Sequence, residues 1–230
     1  MVSFSAASFA LANTLAGYLA SRSVTPPNPN AGANHDWGHD SIRLLTQPGF
    51  ITVCRLLAFG VPLHHAIICL TLGDRGAAAA NRLDPRLITW SRLSSLCLAS
   101  VIGLGAPLRL AAYGSLGSRF TFGLAPPNEL NTSGIYHYIQ HPSYTGMLLV
   151  GIPYVILYGR WDGPLAYRIP QGILNVLKGW GAMGFAAFFA LFAVALSLRV
   201  SEEEAMLKEV FGMKWVEWNK VTKRFIPGIF

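Results

Sequence analysis

Apolar residues run through five parts of the chain: 4–20, 50–72, about 88–108, 147–158 with its flanks, and 172–198. A helix crosses the hydrocarbon of a bilayer with about 20 apolar residues, so each run predicts a transmembrane helix. The first has no positive leader of the kind a secretory signal carries and is therefore expected as a retained span. Between the first two, residues 21–48 contain SVTPPNPNAGAN, a Pro/Asn/Gly connector that breaks helices. Residues 109–143 are mixed, are broken by APPNELNTSG, and are expected not to span. At the C-terminal end charge returns, and Met206, Leu207, Val210, Phe211, Trp215 and Trp218 recur at helical spacing. That pattern predicts an amphipathic helix along the membrane surface.

Composition strengthens this picture. Charged residues make up 13% of the chain and hydrophobic ones 52%, against about 25% charge in soluble domains. The expected fold is an all-α polytopic integral membrane protein with about five transmembrane helices and a C-terminal cytosolic amphipathic helix. Residues 1–87 form an N-terminal membrane region of two spans and a connector, and residues 88–230 a second region that carries the chemistry. The net charge of +7 comes from scattered basic residues, which argues against a nucleic-acid partner and for an anionic membrane face. A cytosolic tail collects Arg22, Arg43, Arg109, Arg119, Arg199, Lys208, Lys214, Lys220, Lys223 and Arg224, and the opposite face Arg75, Arg82, Arg86, Arg160, Arg168 and Lys178.

Cys54, Cys69 and Cys97 sit in apolar runs without paired spacing and read as packing residues. His35, Asp36, His39 and Asp40 have a spacing open to a metal if helical, but they lie in the connector, so no metal is expected. Arg55, His64 and His65 fall inside the second run, as interior hydrogen-bonding groups or a wall of a substrate path.

The chemistry concentrates in GIYHYIQHPSYTG, residues 134–146. Pro142 suits a first helical turn and pushes His141 toward an extended conformation, so a polar loop enters the fourth span here. Tyr136, Tyr138 and Tyr144 offer aromatic faces and hydroxyls to a planar or cationic group; an interfacial aromatic belt is the plainer alternative. Arg199 and Glu203 lie one helical turn apart at the end of the fifth span, at the depth expected for this loop.

These stretches, with LRLAAYGSLGSRFTF before them and RVSEEEAMLKEVFGMKWVEWNKVTKRFIPGI after, together resemble the isoprenylcysteine carboxyl methyltransferase family. The resemblance implies membrane-bound methylation of the C-terminal carboxylate of a prenylated cysteine, with S-adenosyl-L-methionine as cofactor, in an endoplasmic-reticulum membrane with the site on the cytosolic face. It implies Tyr136, His141, Pro142, Ser143, Tyr144 and Glu203 as cofactor contacts and Arg199 as the catalytic residue that holds the substrate carboxylate. Asn128, Glu129, Leu130 and Asn131 occupy the place of the family's His-x-Leu-Val stretch, where only Leu130 matches. Gln140 stands where the family usually has arginine.

The residue types agree with such a reaction. A carboxylate is already ionised, so its methylation needs in-line placement and exclusion of water rather than a general base. An arginine orients it through two parallel hydrogen bonds that lysine does not reproduce. The implied partners are a prenylated protein C-terminus or a prenylcysteine-like small molecule, together with the lipid bilayer. A prenyl tail partitions into lipid at about 0.8 kcal/mol per buried carbon unit, so lateral entry between spans is expected. A phospholipid or small-lipid methyltransferase and a catalytically inactive scaffold stay open as alternatives.

Overall fold

A computed structural model describes residues 2–28, 40–79 and 83–228, with 72–79 and residue 178 described by backbone alone. Among these residues the chain is all α-helical, with one isolated parallel bridge between Ile139 and Lys223. The helices are α1 (Phe4–Ser23), α2 (Pro48–Ala79), α3 (Pro85–Ile88), α4 (Arg92–Ala99), α5 (Ala106–Leu116), α6 (Pro142–Tyr158), α7 (Gln171–Phe211) and α8 (Met213–Val221).

Three segments are long and apolar enough to cross a membrane: Pro48–Thr71, Arg92–Arg119 and Gly179–Phe211. The five expected spans thus reduce to three that length and composition support unaided. α6, at 17 residues, is about 25 Å long, short of the roughly 30 Å of a hydrocarbon core. α1 has 20 residues but carries Ser5, Ser8, Asn13, Thr14 and Ser21, which lower its hydropathy.

α1 runs along α2, and α5 packs on α6. Gly17 makes the first approach possible, since a Cβ there would lie 2.8 Å from Cβ of Pro62. Phe9, Val101, Leu157 and Tyr158 fill the common core. Two polar contacts tie it together: Tyr158 donates to Asn13 Oδ1 at 2.8 Å, and His65 Nε2 lies 2.8 Å from the Leu87 carbonyl oxygen. Each satisfies a group that burial would otherwise leave unpaired.

The third span differs from its expected limits at both ends. It begins at Arg92, because Ser91 and Ser94 form a reciprocal N-terminal cap, while Pro85–Ile88 is a separate turn capped by Asp84. It continues past residue 108 to Leu116, and Gly117 at φ 54° ends it. A π-helical turn at Ser100–Gly105 interrupts its middle; Pro107 cannot donate its backbone nitrogen there, which accounts for the irregularity. Arg109 is not a cytosolic loop charge as its position suggested: it is buried inside the bundle.

Gly146 lies on the α5–α6 crossing, where a Cβ would sit 2.8 Å from Arg109 Cβ, Arg109 N and the Gly105 carbonyl oxygen. Two of these are backbone atoms and cannot move aside cheaply. Gly146→Ala is expected to force the helices apart and cost about 1–3 kcal/mol, measured as a lower Tm of the detergent-solubilised protein.

α7, with 41 residues, is about 60 Å long, twice the hydrocarbon thickness. About 20 residues from Gly179 reach Leu198, which leaves Arg199 at the membrane edge and the remaining turns outside. Only 6% of its most apolar window is buried within the protein, so most of its surface is left for lipid.

The C-terminal segment expected as one amphipathic helix is divided between two helices. α7 continues unbroken to Phe211, Gly212 at φ 53° turns the chain, and the short α8 follows. Met206, Trp215 and Trp218 are buried rather than turned to lipid, and Leu207 and Phe211 pack beside Tyr136. Their apolar stripe meets the 134–141 loop.

Among the cysteines, all free, Cys69 and Cys97 are buried as expected and Cys54 is half-buried. His65 is an interior hydrogen-bonding group; Arg55 is exposed on the side of α2. Of the connector residues considered for a metal, His35, Asp36 and His39 lie outside the described residues, as do Arg82 and the side chains of Arg75 and Lys178. No group of three or more metal-binding side chains occurs among the described residues.

Candidate active site

The polar loop and the end of α7 meet. Gly134, at φ 59°, starts a 3-10 turn (Gly134–His137), a backbone conformation glycine adopts without a Cβ penalty. The chain then pairs with the C-terminal segment: Gln140 N donates to the Lys223 carbonyl at 2.8 Å and His141 N to that of Arg224 at 2.9 Å. His141 precedes Pro142 at the first turn of α6 in a non-helical conformation (φ −122°, ψ 58°), as proline demands of its predecessor.

From there the side chains reach α7. His141 is 3% exposed; its Nε2 lies 3.2 Å from Glu204 Oε1 and its Nδ1 4.0 Å from Glu203 Oε1. Tyr144 donates to Glu203 Oε2 at 2.8 Å and accepts from Arg199 Nε at 3.3 Å. Arg199, 4% exposed, also donates from Nη2 to the Phe122 carbonyl at 2.9 Å. Its Nη1 lies 3.0 Å from Asp40 Oδ2, an ion pair whose angle falls short of a hydrogen bond, so that Nη1 has no hydrogen-bond partner. Four residues singled out in the sequence, His141, Tyr144, Arg199 and Glu203, therefore form one contiguous cluster.

Tyr136 is buried in an aromatic group with Trp215 and Trp218, and Trp218 Nε1 donates to its carbonyl at 3.0 Å. Burial and then the nearby Glu203 charge push its phenol pKa well above the usual range. Ser143 holds a different partner: Arg109 Nη1 donates to its carbonyl at 2.9 Å and to its Oγ at 3.0 Å, while Arg109 Nε donates to the Ser23 carbonyl at 2.6 Å. Ser143 and Pro142 are both buried and fix the start of α6.

The stretch 128–131 is less concentrated. Asn128 and Glu129 are exposed, and Glu129 pairs with Arg119 at 3.0 Å. Asn131 Nδ2 donates to the Ser115 carbonyl at 3.1 Å. Leu130 alone of the four packs against the aromatic group. With Thr132, His137, Lys214, Glu217, Trp218, Val221 and Thr222 it lines an open groove of about 490 Å³, within the range of small-molecule sites.

Several residues that build the site were not singled out by sequence. Glu204 is buried and bridges His141 and Arg224, the latter at 2.7 Å. Arg109 was a lone charge amid apolar neighbours, a signal that membrane energetics flags by default. Asp40, noted in the sequence only for its spacing with nearby histidines, is a neighbour of the site rather than part of it, and only the fold brings it to Arg199.

Gln140 has a definite use. Its Nε2 donates to Asn219 Oδ1 at 2.8 Å and to the Thr222 carbonyl at 2.5 Å, so the amide fastens the loop to α8. Gln140→Leu leaves the buried Thr222 carbonyl without this donor and is expected to cost about 1–3 kcal/mol, seen as a lower Tm and faster tryptic cleavage at Lys220 and Lys223.

Comparisons with known proteins agree with the resemblance. Residues 97–161 match the model of the isoprenylcysteine carboxyl methyltransferase (ICMT) family, a segment that contains the 128–131 stretch and the His141–Tyr144 turn but ends before Arg199. A protein-S-isoprenylcysteine O-methyltransferase of Dictyostelium discoideum is 26% identical over 151 residues, which cover 63% of this chain and 53% of that relative. The matched part thus spans about half the length of the curated relative. No solved structure matches. The likeness drawn from the loop and helix motifs is therefore met by both a family model and a curated relative: over its central part this chain is similar to the isoprenylcysteine carboxyl methyltransferases.

Proposed function

We propose that this chain is a protein-S-isoprenylcysteine carboxyl O-methyltransferase that transfers a methyl group from S-adenosyl-L-methionine to the C-terminal carboxylate of a prenylated cysteine. The observation that carries this reading is the buried Arg199 guanidinium held beside Tyr144 and Glu203 at the membrane edge. A buried cation there suits an anionic substrate group, and a neighbouring carboxylate suits a cationic cofactor.

The residues present fit S-adenosyl-L-methionine. Tyr136, Trp215 and Trp218 supply aromatic faces, Glu203 a carboxylate, and Trp215 Nε1 a buried donor without a partner. When bound, the cofactor supplies an electrophilic methyl group on a sulfonium. Glu203 and the aromatic faces bind its positive charge, while Arg199 orients the carboxylate oxygen toward the methyl carbon. Methyl transfer to a carboxylate would cancel opposite charges, so the buried setting of Arg199 beside Tyr144 would favour it. No proton needs to move, because the carboxylate is already ionised; His141 is held by Glu204 and positions the turn. His141, Pro142 and Ser143 set the first turn of α6 on which Tyr144 stands, with Asn128, Glu129, Leu130 and Asn131 as the outer wall of the cofactor site.

We assign catalysis to residues 88–230, with residues 1–87 supporting it from the connector. α1 and α6 complete five spans by packing rather than by hydropathy, with the site on the cytosolic face of an endoplasmic-reticulum membrane. The prenyl tail enters between α6 and α7. α7 touches the bundle near its start, where Gly181 closely approaches Trp161, and again at Arg199, but leaves Met183, Phe188, Leu191 and Val194 exposed between.

Incubating membranes with methyl-labelled cofactor and either N-acetyl-S-farnesyl-cysteine or phospholipid tests the reading. Base-labile label in the prenylcysteine is expected. Label confined to phospholipid would replace the reading with the lipid alternative, and no label in either would leave a scaffold.

A further inference from the structure

Arg199 already holds a carboxylate, and it belongs to the chain itself. Asp40 Oδ2 lies 3.0 Å from Nη1, with both side chains at most 10% exposed. The contact is part of a strap. Asp40 Oδ2 also accepts from Leu124 N at 3.2 Å and Oδ1 from Ile42 N at 3.1 Å. Ser41 N lies 3.2 Å from both Glu202 carboxylate oxygens, and its hydroxyl donates to Glu202. Residues 40–46, ending in a 3-10 turn (Arg43–Thr46), are thereby latched onto α7 one turn apart, at Arg199 and Glu202.

We propose that Asp40 is a resident stand-in for the substrate carboxylate, and that the 40–46 strap must release Arg199 before a substrate can bind. This rests on the methyltransferase reading for the identity of the incoming group. Two observations support displacement over permanent pairing. First, Nη1 is buried yet makes no hydrogen bond, so Asp40 offers charge without alignment. A carboxylate approaching in the guanidinium plane gains the two-pronged geometry that Asp40 lacks. Second, Nε of Arg199 is held by Tyr144 and one N–H of Nη2 by the Phe122 carbonyl, which keep the guanidinium in place when Asp40 leaves and leave Nη1 and the second Nη2 N–H to grip a carboxylate. The strap keeps the buried cation paired in the resting enzyme and screens it from small anions that lack a lipid tail. It also sets apparent affinity, because substrate binds only the fraction of molecules in which the strap is open.

Asp40→Asn keeps the side-chain volume and one acceptor but removes the competing charge. It is expected to lower KM for N-acetyl-S-farnesyl-cysteine about tenfold, the factor for a strap seated in roughly nine molecules of ten, with kcat and the KM for cofactor within about twofold of wild type. A second readout needs no turnover. Thr46 is buried in the strap, and a Thr46→Cys variant is expected to react with a membrane-impermeant maleimide several-fold faster when N-acetyl-S-farnesyl-cysteine is added, but not when its methyl ester is added. If wild-type protein turns over but Asp40→Asn leaves KM unchanged and the carboxylate does not speed labelling, the strap proposal falls and the methyltransferase reading stands. Loss of turnover in Asp40→Asn to the level of Arg199 variants would likewise overturn it, making Asp40 a support. If wild-type protein does not turn over while the carboxylate still speeds labelling, the strap proposal stands and the reaction reading falls.

Discussion

Arg199→Lys is expected to lower kcat/KM for a prenylcysteine about 10²–10³-fold while leaving the fold intact. The substitution keeps the positive charge, so Asp40 and Glu203 stay compensated and the penalty for an unpaired buried charge is avoided. Geometry is what it removes. Arg199 is pinned by Tyr144 through Nε and by the Phe122 carbonyl through Nη2, an arrangement that presents a planar fork in one orientation. An ammonium is a point charge on a flexible stem and cannot hold a carboxylate in one plane. Misplacement by about 1 Å is enough to cost about 10²-fold in a transfer that depends on alignment. Steady-state kinetics on purified protein check the rate, and an unchanged Tm checks the fold.

Glu203→Gln has the second largest effect, and a different one. It is expected to weaken equilibrium binding of S-adenosyl-L-methionine about 10- to 100-fold, the range of a charge-assisted hydrogen bond worth about 1.5–3 kcal/mol. Glutamine still accepts from Tyr144, whose hydroxyl sits 2.8 Å from the Glu203 carboxylate, so Arg199 keeps its neighbour. The variant therefore separates cofactor binding from carboxylate binding. Titration with the cofactor alone checks it, and affinity for the prenylcysteine should move by less than about threefold. Equal loss of both would make Glu203 a support for Tyr144 rather than a partner of the cofactor.

How much of this was legible in the sequence depended on distance along the chain. Arg199 and Glu203 are four residues apart, so helical periodicity alone put them on one face, and the His141-Pro142 pair marked the start of α6 by local backbone sterics. Hydropathy likewise found the cores of α2 and α7. It missed that residues 109–116 continue a helix, because Arg109 reads as a loop charge until the Ser23 and Ser143 carbonyls that receive it are in view. The tail was legible only in part for a related reason: spacing shows that Met206, Trp215 and Trp218 share an apolar stripe, but lipid and the Tyr136 loop are equally apolar partners for it. Asp40 stands 159 residues from Arg199, and no local rule connects them. Gln140 shows the limit of motif comparison, since its hydrogen bonds to α8 were invisible behind the absent arginine.

Arg199 gripping the substrate carboxylate is the point on which the account turns, and binding without turnover measures it most directly. With cofactor omitted, dissociation constants are compared for N-acetyl-S-farnesyl-cysteine and its carboxamide, in wild type and in Arg199→Lys. Wild type is expected to prefer the acid by at least about tenfold, as a hydrogen bond to a charged group predicts, and Arg199→Lys to lose most of that preference. The same preference in both proteins would contradict the account and place the carboxylate elsewhere.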